Sequence, residues 1–141
     1  MGAELSGAAK NKILIVEDHP ATANYLAQFI NDAFPGATLE IASSAEIAVS
    51  LCKAEKPRLV VMDISLPGLN GIEAARQIKS ISPSIQVVMH SSFDDQAHQL
   101  KCREVGADAF VSKTCSDIEL IPAIAALLSV PLDACADSQV T

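Results

Sequence analysis

Five side chains along this 141-residue sequence have types suited to phosphate chemistry: the adjacent acids Glu17 and Asp18, a third acid at Asp63, a hydroxyl at Ser91 and an amine at Lys113. Three carboxylates brought together would repel one another and lose solvent, so they must share protons or hold a cation. A hard divalent ion with oxygen ligands, Mg2+ or Mn2+, meets that need. Magnesium takes one or two carboxylates, keeps several waters and completes its octahedron with phosphate oxygens. Asp63 could then attack phosphorus and form an acyl phosphate, while the cation and the Lys113 ammonium offset charge on the transferring oxygens and Ser91 donates to one of them. Taken singly, each residue has an ordinary explanation: Asp63 as a helix cap, Lys113 as a solvated charge, Ser91 as a turn hydroxyl. The case rests on their conjunction.

Positioning these groups requires strand ends. Apolar runs of strand length occur at residues 12–17 (KILIVE), 38–42 (TLEIA), 58–63 (RLVVMD), 85–90 (IQVVMH) and 108–112 (DAFVS), and stretches of helical period separate them. That alternation predicts a parallel sheet wrapped by helices. The first, third and fourth runs are continuously apolar and β-branched, as central strands covered on both faces must be. In such a sheet the ligand crevice lies beyond the carboxyl ends of the strands. Glu17 and Asp18 close the first run, Asp63 closes the third, Ser91 follows the fourth and Lys113 follows the fifth. Helix starts are signalled by Pro20 and by the capping pairs Ser43 with Glu46, Asn70 with Glu73 and Ser116 with Glu119. The first helix carries an apolar stripe of Leu26, Phe29, Ile30 and Ala33.

Composition narrows the class. Half of the residues are hydrophobic, enough for a core, and ten basic against seventeen acidic residues give a net charge of -7. A nucleic-acid binder needs a basic patch, so DNA binding by this chain alone is not expected. The four cysteines form no CxxC pair and read as idle thiols of a cytoplasmic protein. No secretory leader is legible in residues 1–12, and the longest apolar-rich stretch, 121–132, is too short to span a bilayer. Met1 to Ser6 fits the degenerate myristoylation pattern, which is read as chance. The expected organisation is an N-terminal extension over 1–10, one folded domain over 11–129, and a tail or linker start over 130–141.

Four separated blocks, residues 13–20 (ILIVEDHP), 60–71 (VVMDISLPGLNG), 88–92 (VMHSS) and 106–113 (GADAFVSK), resemble the receiver domain of two-component response regulators. The pair His19-Pro20 is similar to the NarL/LuxR-type subfamily, whose receivers usually precede a helix-turn-helix domain. The resemblance implies a flavodoxin-like, doubly wound (βα)5 α/β fold with strand order 2-1-3-4-5. It implies Asp63 as phospho-acceptor and Glu17, Asp18, Asp63 and the backbone carbonyl of Ser65 as the metal site, Asp18 binding directly and Glu17 mainly through water. It also implies Lys113 as the phosphate-pairing lysine, with Ser91 and Phe110 as the switch pair. Phosphorylation would draw the Ser91 hydroxyl inward, and Phe110 would rotate into the vacated space. The implied partners are a histidine kinase or a phosphotransfer protein. Apolar stripes on the last helix raise the option of a homodimer through that helix and the fifth strand.

Smaller features carry further expectations. His19 is read as a helix-cap or packing residue rather than a metal ligand, and His90 as a strand terminator. Pro122 is expected to interrupt one hydrogen bond of the last helix. Phe93 and Ser65 flank the path of an attacking water, Phe93 as a shield. Two other classes compete: a flavin-binding protein of the same layering, which would need a hydroxyl- and glycine-rich loop where Glu17-Asp18 stands, and a Mg-dependent aspartyl-phosphate phosphatase, which resembles this site but places a second acid where Ser65 lies. A receiver cut from a larger transcription regulator is a third reading.

Overall fold

The computed structural model describes residues 11–66, 68–92 and 96–128. Five parallel strands, β1 (Lys12–Val16), β2 (Thr38–Ala42), β3 (Leu59–Asp63), β4 (Gln86–Ser91) and β5 (Ala109–Ser112), form one sheet in the order β2-β1-β3-β4-β5. Helices follow each strand: α1 (Pro20–Ala33), α2 (Ala45–Glu55), α3 (Gly71–Ile81), α4 (Gln96–Glu104) and α5 (Ser116–Leu128).

The two faces of the sheet bury separate cores. Leu14, Val16, Val60, Met62, Val87 and Met89 pack with Ala48 and Cys52 of α2, Ala74 and Ile78 of α3 and Cys102 of α4. On the other face Ile13, Ile15, Leu59, Val61, Val88 and Val111 meet Leu26 and Ile30 of α1 and Leu120 and Ile124 of α5. Because β1, β3 and β4 are covered on both sides, their sequences lack alternation. The α1 stripe lies as expected, with Leu26 and Ile30 buried and Phe29 and Ala33 packed at the margin.

Helix starts depart from expectation in two places. Asn70 caps α3 by accepting from the Glu73 N–H at 2.9 Å. The α2 cap, however, is Ser44, whose Oγ accepts from the Ile47 N–H at 3.2 Å, and not Ser43. The extended backbone of Ser44, φ -148°, aims its hydroxyl at the first turn. Nor does Ser116 cap α5: a 3-10 turn over Lys113–Cys115 precedes the helix, Ser112 caps that turn, and the Ser116 hydroxyl donates to the Lys113 carbonyl at 3.1 Å. The chain thus enters α5 already coiled, which removes the need for a cap at Ser116. Helix α5 continues past Pro122. The two stripes on α5 are unequal. Leu120 and Ile124 are buried, Leu127 is half-buried, and Ile118 is 71% exposed.

His90 does not end its strand. β4 runs on to Ser91, and His90 pairs in register with Asp63.

Candidate functional site

The carboxyl end of the sheet gathers the predicted residues by pleat geometry. Glu17, Asp63 and His90 lie two residues beyond Ile15, Val61 and Val88, which pair in register on the α1/α5 face, so the two-residue period sets them side by side at the ends of β1, β3 and β4. His90 pairs with Val111, so Lys113 stands one pleat further, just past β5. Contacts agree: Lys113 Nζ lies 3.3 Å from Glu17 Oε1 and 3.3 Å from Asp63 Oδ2, spanning β4 to do so. Glu17 and Asp63 are 2% and 3% exposed. Burial, joined by the charge of Glu17, pushes the Asp63 carboxyl above the usual carboxylate range, against the pull of Lys113 and of the Ser65 N–H.

The loop after Asp63 is fixed from several sides. The Ser65 N–H donates to Asp63 Oδ1 at 3.1 Å, and the Gly71 N–H to the Ile64 carbonyl at 3.1 Å. A Cβ on Gly71 would fall 2.1 Å from the Asp63 carbonyl oxygen, so only glycine lets α3 start against the strand end. From α2, Glu46 Oε2 accepts from the Leu69 N–H at 3.2 Å, beside Gly68 at φ 75°. In the sequence Glu46 is legible only as a capping partner.

Asp18 Oδ1 is buried with no hydrogen-bond partner. One ligand atom each from Glu17, Asp18 and His19 fall within 4.8 Å of one another. An orphaned carboxylate oxygen beside a buried acid is the donor set a divalent cation satisfies, so these residues fit one.

Ser91 is fully buried and stands on the opposite face. Met89 pairs with Phe110 and belongs with it to the α2–α4 core, so Ser91, one pleat beyond Met89, shares that face. Phe110 is half-buried and, with Cys102 and Arg103, lines a cavity of about 160 Å³ between α4 and β5. Phe93 lies outside the described residues.

His90 is the group the sequence reading missed. It is 3% exposed, its Nε2 has no partner, and burial together with the Lys113 charge pushes its pKa down to about 4, so the ring is neutral. Continuing the pleat one step past Val88 would have found it. Cys52 and Cys102 stay outside the site. Both are free and buried, with thiols pushed up to about 12 and about 11, and therefore unreactive.

Residues 13–125 match the response regulator receiver domain family. The chain belongs to that family. As a receiver it is 31% identical over 117 residues to the transcriptional activator protein ExaE of Pseudomonas putida, covering 83% of this chain and 55% of ExaE. It is 28% identical to the response regulator UvrY of Escherichia coli O6:H1, covering 83% of this chain and 54% of UvrY. The receiver thus spans about half the length of these relatives. A LuxR-family two-component response regulator from Aurantimonas superimposes with a TM-score of 0.79 at 32% identity, covering 92% of this chain and 98% of that one. A CheY-like receiver domain from Methanospirillum hungatei gives 0.78 at 26% identity, covering 84% and 94%. The flavodoxin-like fold and the resemblance to the LuxR-type subfamily both hold. Among the described residues no helix is long and apolar enough to cross a membrane.

Proposed function

We propose that this receiver is switched by phosphorylation of Asp63. The observation that carries the reading is the Lys113 ammonium bridging Glu17 and Asp63 at 3.3 Å each, with Glu17 followed in the chain by Asp18, whose Oδ1 is orphaned. A carboxylate nucleophile, a cation site and an ammonium beside the carboxylate are the parts that phosphoryl transfer needs. Asp63 Oδ2 forms the new P–O bond while the phosphorus separates from a phosphohistidine nitrogen on a histidine kinase or phosphotransfer protein, the leaving imidazole taking the electron pair. Asp18, Asp63, the Ser65 carbonyl and, through water, Glu17 would hold Mg2+ or Mn2+, which would supply charge neutralisation and orientation of the phosphoryl oxygens.

On this proposal Lys113 exchanges Glu17 for a phosphoryl oxygen, and Ser91 turns its hydroxyl to another. Phe110, sharing a face with Ser91 and bordering a cavity, then changes rotamer and alters the α4-β5-α5 surface. The exposed Ile118 supports dimerisation through α5 and β5 as one use of that surface. The printed role of ExaE supports control of transcription as the output. We place this activity in the cytoplasm, within a domain over 11–129 flanked by an N-terminal extension over 1–10 and a tail or linker start over 130–141.

Intact-mass measurement after treatment with acetyl phosphate and Mg2+ tests the proposal. The wild type gains one phosphoryl mass and Asp63→Asn gains none. A wild type without the added mass, or a variant that acquires it equally, defeats the proposal.

A further inference from the structure

His19 has a role to find. It occupies the cap position of α1, yet its side chain makes no capping hydrogen bond. Its Nδ1 lies instead 3.3 Å from Glu17 Oε2 and 3.4 Å from Asp18 Oδ1. Asp18 Oδ1 remains unsatisfied even so. The backbone that carries the ring is held on both sides: the His19 N–H donates to Glu17 Oε2 at 3.2 Å, its carbonyl accepts from the Ala23 N–H at 2.9 Å, and Pro20 opens the helix. The ring itself is exposed, with 76% of the side chain accessible. Two carboxylate oxygens and one imidazole nitrogen, mutually within 4.8 Å, therefore lie close enough to share one ion just past the end of β1.

We propose that His19 lends Nδ1 to the divalent-cation site, so that this receiver favours ions that accept imidazole, Mn2+ and later first-row metals, over Mg2+. The inference rests on the proposed cation site and adds a nitrogen donor to its oxygen ligands. Magnesium is hard, dehydrates reluctantly and is served by carboxylates, carbonyls and water; imidazole suits transition ions. Any site of nitrogen and oxygen donors binds the later metals more tightly, so the rank order alone decides nothing. The diagnostic quantity is how far the preference changes when the ring is removed. An exposed ring also makes His19 replaceable without opening the core.

Calorimetric titration of the full chain with MgCl2 and with MnCl2, for wild type and His19→Ala, reads that quantity. Pulsed electron paramagnetic resonance of the Mn2+ form reads nitrogen ligation directly. Removing the ring should weaken Mn2+ binding about tenfold, change Mg2+ binding less than about twofold, and abolish the nitrogen modulation. Should His19→Ala not fold, wild type carrying 15N-histidine must show the nitrogen signal shift from the 14N to the 15N pattern. A wild-type Mn2+ spectrum without nitrogen coupling, or equal loss of both ions in His19→Ala, overturns the role of His19 and leaves the cation site standing. Full binding of both ions by Asp18→Asn overturns the cation site itself.

Discussion

At the amino end of the sheet, Lys79 reaches from α3 to the carbonyls of Pro83 and Ile85 at 3.0 and 2.9 Å and to Asp108 Oδ2 at 2.9 Å. The same Asp108 oxygen accepts from the Val87 N–H at 2.8 Å. Arg58 caps the last carbonyl of α5, that of Leu128, at 3.3 Å, and Lys12 pairs with Glu40 and Glu55. Gln86 Oε1 is the exception there, buried without a partner. At the carboxyl end the balance reverses. Asp18 Oδ1 and His90 Nε2 are buried without partners, Asp63 is held where ionisation is costly, and one ammonium serves two acids. The first end uses charge to join elements. The second tolerates unmet polar demand, as expected where a ligand is to arrive.

The contrast can be broken most sharply at His90. Its folded-state pKa lies below the unfolded value of 6.5, at about 4, so the stability it contributes is complete above pH 6.5 and is lost as pH falls toward 4. About 2.5 units corresponds to about 3 kcal/mol. In urea unfolding across that window, His90→Leu should lose about that much less than the wild type. Parallel losses in the two proteins would mean that the ring is not held neutral.

A smaller effect is expected at the opposite end. Lys79→Met keeps the aliphatic stem but removes one donor from each of three acceptors, and should cost about 2 kcal/mol in chemical unfolding. Phosphoryl uptake from acetyl phosphate should be unchanged. A matching fall in uptake would show that the two ends are not separable.

The smallest shift has the opposite sign. With Asp63 raised above its ordinary range, the folded state gains most from this residue when it is protonated, and loses that gain as pH climbs through the raised value. In EDTA at pH 7, Asp63→Asn should therefore melt above the wild type, and the gain should fade in acid. An Asn variant that melts lower at pH 7 would place the Lys113 contact above the burial cost.

Legibility in the sequence followed the same division. β1, β3 and β4 could be read because burial on both faces demands uninterrupted apolar runs, and the chemistry-bearing residues because they interrupt those runs at their ends. What the runs conceal is which face each residue takes: with no alternation, nothing in β4 says whether His90 or Ser91 shares the face of Asp63, and only the register with β3 decides it. Two adjacent serines, Ser43 and Ser44, are equal as capping residues until backbone conformation chooses between them. The turn over Lys113–Cys115 displaced the expected role of Ser116 because a 3-10 turn leaves no periodic mark in three residues. Glu46 satisfied a local rule, and its contact with Leu69 across 23 positions lay beyond any such rule.

Gly71 carries a mechanical consequence. Its missing side chain leaves no clearance between the first residue of α3 and the backbone oxygen of Asp63, and its N–H is fastened to the very next carbonyl. The helix and the strand end are therefore geared without backlash. A displacement of the Asp63 backbone is passed to α3, and a partner gripping α3 also holds the backbone of Asp63.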